Sequence, residues 1–364
     1  MDPINILHIN TEITWGGGET QTLCLMQGLN DRRYQQFVAC QPESAIASRC
    51  RKEGIPVHLI KMPSQFSLPA VLQLRLLIRS RNFHIVHCHT SRAHTLGVLA
   101  SIGTEKIFLV VTRRIEHRRE SWWKTKLIYN CYSDAVVAIS EAVKDVLLSS
   151  GVVARKVRVI PSGVDLKRFE GGSGVAWRNQ LNIPHDELVI GYVGKLSRGK
   201  GIDVLLRAIP AVVDKHPGVR ILIVGEGPDR SHFEALVAHL QVRSHVIFTG
   251  FLQDIPGILA AVDVFVLPSL KEAAGGVVRE AMAAQKPVVA ARVGGIPESV
   301  VDGVTGFLVP PGDHESLSRA IIELLNAPEV RERFARVGRE RVEARFSLEA
   351  MVRQYQALYH ELLL

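Results

Sequence analysis

Short runs of β-branched and apolar residues recur along this chain with longer stretches of helical periodicity between them, and that alternation leaves few folds open. The first array contains "INILHIN", "HIVHCH", "IFLVVT", "AVVAIS" and "VRVIPSG"; the second contains "LVIGYVGKL", "VRILIVGEGP", "HVIFTGF", "DVFVLPS" and "PVVAARVGG". Runs this apolar belong to strands covered on both faces, as in parallel sheets built from βαβ units. The series breaks once, at residues 166–187, "LKRFEGGSGVAWRNQLNIPHDE", where glycines, polar residues and a proline gather. A chain of 364 residues also exceeds what one ordinary core supports. Two doubly wound α/β domains joined near residues 165–187 are therefore expected. The tail from Ser347, "SLEAMVRQYQALYHELLL", spaces Met351, Tyr355, Leu358 and Leu362 as an amphipathic helix. With no strand to pair with, it is expected to pack across the domains. The first domain is then 1–165 with the helix 347–364, and the second is 166–346.

Charge narrows the partners without choosing among them. Lys and Arg number 44 against 36 Asp and Glu, a net charge of +8. The balance suits phosphate esters, an acidic lipid surface or nucleic acid. A hydrophobic content of 47% with 22% charged residues excludes a disordered chain. Cys24, Cys40, Cys50, Cys88 and Cys131 contain no C-x-x-C pair, so reduced thiols are expected. The start, "MDPINILHIN", has no basic leader, and no run is long enough for a membrane span. A cytoplasmic protein is expected, free in solution or peripheral at the inner face of the membrane.

The chemistry concentrates in "SLKEAAGGVVREAMAAQKP", residues 269–287. A helix is expected from Gly276, with Glu272 in the loop before it and Glu280 about one turn inside. Gly275, Gly276 and Val277 leave backbone N–H groups uncovered at its N-terminus, a place suited to a phosphate. Carboxylates repel phosphate, so the two glutamates suit the hydroxyl groups of a ribose and a sugar. A solvated loop acid and a first-turn acid favoured by the helix dipole would explain them equally well. Upstream, "YVGKLSRGKGIDVLL" puts Lys195 at a strand end and Lys200 just before a helix, where two ammonium groups can converge on a diphosphate. Neither a Walker loop nor a G-x-G-x-x-G is present. "VGEGPD", with Gly225, Glu226 and Gly227, reads as a tight turn or as a loop touching a base.

The pairing of "GKLSRGKG" with "PSLKEAAGGVVREAMA", followed by "PVVAARVGGIPESVVDGVTGFLVPPGD", resembles the second domain of the family 4 retaining glycosyltransferases. The likeness continues through "WGGGETQTLCL", "HCHTSRAH", "VVTRR", "AVVAISEAV" and "VIPSGVDLKRF", nearly the whole chain. It implies the GT-B fold, two Rossmann-like domains around a cleft, the first binding acceptor and the second a nucleoside-diphosphate sugar. It further implies that Glu272 touches the transferred sugar, Glu280 the ribose, and Lys195 with Lys200 the diphosphate, with no metal or other cofactor. Two positions depart from the family pattern. Lys195 stands where arginine is usual, and lacks its planar fork. Ala273 follows the first glutamate where glycine is common.

In the first domain, "NTEITWGGGETQTL" is a strand-to-helix loop in which Gly16, Gly17 and Gly18 either close on the diphosphate, as the resemblance implies, or form a plain flexible turn. "HIVHCHTSRAHTLG" offers His84, His87, His89 and His94. His87 and His89 share a strand face, but no second ligand pair of zinc spacing accompanies them, so no metal is expected. His89 is expected to line the cleft, and the others to pack or face solvent. In "VVTRRIEHRRESWWKTK" the family's histidine is missing near Arg114, which leaves Arg114 or His117 to contact the transferred sugar and Arg113 beside them for the acceptor. Basic residues interleaved with Trp122 and Trp123 suit a membrane interface or a lipopolysaccharide or lipid-linked acceptor, or simply an exposed basic helix face. The resemblance implies a hexose-type transfer in lipopolysaccharide or cell-surface polysaccharide synthesis. A nucleotide-sugar epimerase of the same fold and a non-enzymatic polyanion-binding module remain as alternatives, the second leaving the paired glutamates unexplained.

Overall fold

A computed structural model describes residues 3–104, 107–114 and 125–364. His117, Arg118, Arg119, Trp122, Trp123 and Lys124 lie outside the described residues. The chain divides into two compact units, Met1–Gly163 with Leu348–Leu364, and Val164–Ser347.

The first unit is a parallel sheet of seven strands in the order β3-β2-β1-β4-β5-β6-β7. These are β1 (Ile4–Asn10), β2 (Tyr34–Cys40), β3 (Val57–Leu59), β4 (Ile85–Cys88), β5 (Phe108–Arg113), β6 (Ala135–Ala138) and β7 (Val157–Val159). Strand β1 pairs with β2 from Ile4↔Tyr34 to Asn10↔Cys40 and with β4 from Ile6↔Ile85 to Ile9↔Cys88. The second unit is a six-stranded parallel sheet in the order β10-β9-β8-β11-β12-β13. Its strands are β8 (Val189–Val193), β9 (Arg220–Val224), β10 (Val246–Gly250), β11 (Val264–Leu267), β12 (Val288–Ala291) and β13 (Gly306–Val309). Strands β8, β11 and β12 are buried at every residue, as a sheet covered by helices on both faces requires.

In both sheets the strand order reverses beside the first strand of the unit, between β1 and β4 and between β8 and β11. Loops leaving those pairs turn to opposite faces of the sheet and open a crevice at its carboxyl edge. That topology decides where a ligand can sit in each unit.

Residues 166–187, read as a joint, are built into the second unit. Leu166–Phe169 and Val175–Gln180 are helical. Asp165 caps the former by accepting from the Lys167 N–H, and the Trp177 indole donates to Asp254 at 2.8 Å. The C-terminal helix Leu348–Leu363 belongs to the first unit, where Met351, Val352, Tyr355, Leu358 and Tyr359 pack with Ile6, Leu25, Leu29, Ile85 and Val110. Burying each large side chain there contributes roughly 1.5–3 kcal/mol. Its polar anchor is equally specific: His87 bonds Tyr359 Oη through Nδ1 and Thr112 Oγ1 through Nε2, each at 2.7 Å, and Thr112 in turn meets Tyr355 Oη at 3.1 Å.

Candidate active site

In the second unit the crevice side of β8 and β11 gathers the charged residues singled out above. Strand β8 ends at Val193, and Lys195 and Lys200 follow in the loop. Strand β11 ends at Leu267, and Glu272 follows. The two loops are stitched together by the Gly199 carbonyl, which accepts from the Leu270 and Lys271 N–H groups at 3.1 and 3.2 Å. Gly201 makes that approach feasible: its φ is 67°, and a Cβ there would lie 2.0 Å from the Pro268 oxygen. Across this seam the Lys200 ammonium donates to Glu272 Oε2 at 2.6 Å, and Ser269 Oγ reaches the same oxygen at 3.5 Å.

The Lys200 ammonium offsets the negative charge of Glu272. Lys195 is exposed and makes no ion pair among the described residues. Tyr192, buried in β8, donates to the Lys195 carbonyl at 3.1 Å and fixes where the loop leaves the strand. Burial, with Glu272 nearby, pushes its phenol above the usual range.

The helix Gly276–Ala283 starts from Gly275 at φ 63°, ψ 44°, without a side-chain cap. The first N–H groups of a helix have no carbonyl one turn back and carry its positive dipole end. Gly276 and Val277 occupy those positions, and a Cβ on Gly276 would meet nothing within 4 Å, so the approach is open. Glu280 sits one turn further on, half-buried. Burial raises its carboxyl above the ordinary range, and Arg168 draws it back. Gly225 and Glu226 join the same edge: the Gly194 N–H donates to the Val224 carbonyl at 3.0 Å and the Leu196 N–H to that of Glu226 at 2.9 Å. The Glu226 carboxylate itself is turned to Arg230.

The first unit has its own polar edge, at β1 and β4. Gly16 precedes the helix Gly17–Gly28, which lacks a side-chain cap. Glu19 in its first turn is buried and accepts from Asn10 Nδ2 at 3.2 Å. Arg114 lies against this loop, since a Cβ on Gly18 would come 3.5 Å from Arg114 Cδ. Burial pulls its guanidinium pKa down, opposed by Tyr355, Glu19 and Cys24. Arg113 donates to Ser91 Oγ at 2.5 Å.

His89 is buried, and a third histidine joins it and His87. His8 Nδ1 meets His89 Nε2 at 2.9 Å while His8 Nε2 meets Gln36 Oε1 at 3.0 Å. The ligand atoms of His8, His87 and His89 fall within 4.8 Å of one another. Five of their six ring nitrogens are already hydrogen-bonded within the unit, and among the described residues only His89 Nδ1 has no partner. Burial lowers all three pKa values, that of His8 to about 4, and Arg114 adds to the effect at His87 and His89. Burial keeps the cluster neutral, with a relay that runs from Gln36 through His8 to His89 while His87 bonds separately to Tyr359 and Thr112. His84 accepts from the Asn5 N–H, and His94 bonds Ser133.

Sequence reasoning missed several neighbours. Arg168 comes from the segment read as a joint, and no local pattern links it to Glu280. His8 sits inside a strand, where period alone says only that it is buried. Tyr192, three residues before Lys195, was the one with a readable signal: a lone phenol in an otherwise aliphatic strand needs a polar partner.

Two parallel α/β units, each with charged and glycine-lined loops at the carboxyl edge of its switch point, define a glycosyltransferase of the GT-B architecture. Residues 15–168 match the model of Glycosyltransferase Family 4 and residues 175–341 that of Glycosyl transferases group 1. The chain belongs to that family and uses a nucleotide-sugar donor. It is similar to the capsular polysaccharide biosynthesis glycosyltransferase CapM of Staphylococcus aureus, with 28% identity over 84% of this chain and 85% of that one. A D-inositol 3-phosphate glycosyltransferase of Corynebacterium jeikeium is 30% identical over 87% of this chain and 75% of its own length. Among solved structures, Anabaena HepE in complex with UDP-glucose matches with a TM-score of 0.87 and 25% identity, covering 98% of this chain and 100% of that one.

Proposed function

We propose that the protein is a retaining hexosyltransferase that takes its sugar from a UDP-sugar and adds it to a glycan or lipid-linked acceptor of a cell-surface polysaccharide, capsular or lipopolysaccharide. The observation that carries this reading is the Lys200–Glu272 pair, 2.6 Å apart at the switch point of the second sheet. The UDP-glucose held by HepE supports the donor, and the pathway of CapM supports the acceptor class.

In this reading Lys195, Lys200 and the N–H groups of Gly276 and Val277 hold the diphosphate. As the bond to the anomeric carbon breaks, negative charge grows on the departing phosphate oxygen, and these fixed donors stabilise it without reorganising. Glu272, relieved of its charge by Lys200, accepts a hydrogen bond from a sugar hydroxyl, and Glu280 accepts from the ribose diol. Gly225 and Glu226 border the base. Glu272 is held by Lys200, and this reading has the acceptor attack from the face the leaving group departs. The same reading gives Gly16, Gly17 and Gly18 of the first unit to the diphosphate, Arg114 to the transferred sugar, and His89 and Arg113 to the acceptor.

Release of UDP from a panel of UDP-hexoses, with and without acceptor glycolipid, tests the assignment. Lys200→Ala should lower kcat/KM by about 100-fold or more, the scale of losing one fixed donor to a developing anion. Glu272→Gln should lower kcat with a smaller change in KM, and both variants should keep their unfolding temperature. Unchanged transfer by a folded Lys200→Ala protein would remove the proposal. An epimerase would instead convert the donor when no acceptor is present.

A further inference from the structure

The helix Leu68–Ser80 of the first unit is apolar on two sides. Ala70, Val71, Leu74 and Ile78 face inward, and their spacing accounts for the packing of the helix. Leu68, Leu72 and Leu76 form a second stripe that the fold does not use, and they are 65%, 52% and 69% exposed. Phe66, just before the helix, is 61% exposed. Residues four apart lie on one face, so the three leucines make a ridge about 12 Å long. A monomeric soluble protein scatters such residues singly, whereas a row of three leucines marks a surface that something covers.

The charge around the ridge says what covers it. Residues 54–104 contain Lys61, Arg75, Arg79, Arg81 and Arg92 but no aspartate or glutamate. Arg79 falls between Leu68 and Leu72 on the helical wheel, and Arg75 falls on the other side of Leu68. Lys61 and Arg79 are exposed and make no ion pair among the described residues. A second copy packed here about a twofold axis would set these cations against one another. A planar sheet of anionic headgroups would neutralise them while its acyl boundary took up the leucines and Phe66.

We propose that this ridge is a docking surface for an anionic lipid bilayer. The inference goes beyond the transfer reaction and does not depend on it. The loop that carries Lys61 and Phe66 is tied down at Met62: the Met62 N–H donates to Gln41 Oε1, Gln41 Nε2 returns a bond to the Met62 carbonyl, both at 2.8 Å, and Arg92 Nη1 donates to that carbonyl at 3.1 Å. Gln41 follows β2 and Arg92 follows β4. The loop therefore lies at the carboxyl edge of the first sheet, the same edge as Gly16–Gly18. A surface docked there presents lipid-borne molecules to that edge.

Co-sedimentation with vesicles of phosphatidylcholine, with and without phosphatidylglycerol, tests it. The wild-type chain should bind the phosphatidylglycerol vesicles and release as salt is raised. Leu68→Ser with Leu72→Ser and Leu76→Ser, and separately Lys61→Glu with Arg79→Glu, should each lower the partition coefficient by about tenfold or more. Both sets change exposed side chains only, so circular dichroism and the unfolding temperature should match the wild type. Absence of wild-type binding, or equal binding by the folded variants, would overturn the proposal. So would a dimer in analytical ultracentrifugation that the leucine variant dissociates, because a second copy would then own the surface.

Discussion

Gly275 and Gly276 are neighbours under opposite demands. Gly275 is left-handed, and a Cβ on it would stand 2.9 Å from Ile296 Cγ1; Gly276 has open space where its Cβ would be. Gly275→Ala should therefore cost about 1–3 kcal/mol of stability through backbone strain and crowding. Gly276→Ala should leave stability equal or raise it by about 0.5 kcal/mol, because alanine narrows the unfolded ensemble. If the space beside Gly276 exists for a phosphate, the same methyl group should weaken binding of the donor nucleotide. Chemical unfolding and nucleotide titration of the two variants separate the demands. A Gly276→Ala protein that is stable and binds donor normally would show that the open space serves no ligand. At this scale the sequence was informative for residues whose chemistry is local. Glu272, Lys200 and the glycine pair could be named from spacing, whereas the pairing of Glu272 with Lys200 needed the backbone seam at Gly199.

Elements were legible where their pattern was long and apolar. Strands β2 "YQQFVAC", β3 "VHL" and β13 "GFLV" do not stand out in the sequence, one because two glutamines interrupt it and two because they are only 3 and 4 residues long. The C-terminal helix shows the reverse case. Its period is plain, but its place is set by partners far away in sequence, with Val352 so close to Gly28 that a Cβ there would lie 2.3 Å from Val352 Cγ2. The buried histidines of the first unit carry a pH dependence. Burial holds His8 at about 4 and His94 at about 3, with His87 and His89 also well below the ordinary value of 6.5. A histidine depressed in the folded chain binds its proton only on unfolding, so its contribution is complete above pH 6.5 and is lost as pH falls toward the folded value. At pH 5 His8 and His94 should each cost roughly 2 kcal/mol relative to pH 7, and His87 and His89 should add to the loss. Urea unfolding at the two pH values checks this. Stability independent of pH over that window would mean that the histidines titrate normally and that the relay is open to water.

At the scale of the whole molecule, each unit carries a parallel sheet, a switch point and a polar carboxyl edge. Their order along the chain could be read directly: glycine loop, histidines and basic strand end first, lysine pair and glutamate pair second. What could not be read was which residues of the first unit the chain's last helix packs on, and the use of the segment 166–187 to frame Glu280 through Arg168. Both depend on contacts between residues far apart in sequence, which no local period encodes. The central claim is that the edge of the second sheet is a nucleoside-diphosphate site built on Lys200. Calorimetric titration of the wild-type chain and of Lys200→Ala with UDP measures it directly. The account predicts saturable binding to the wild type and a loss of at least about tenfold in affinity for the variant, the scale of a charge-assisted hydrogen bond. Equal affinity in the two folded proteins would contradict it.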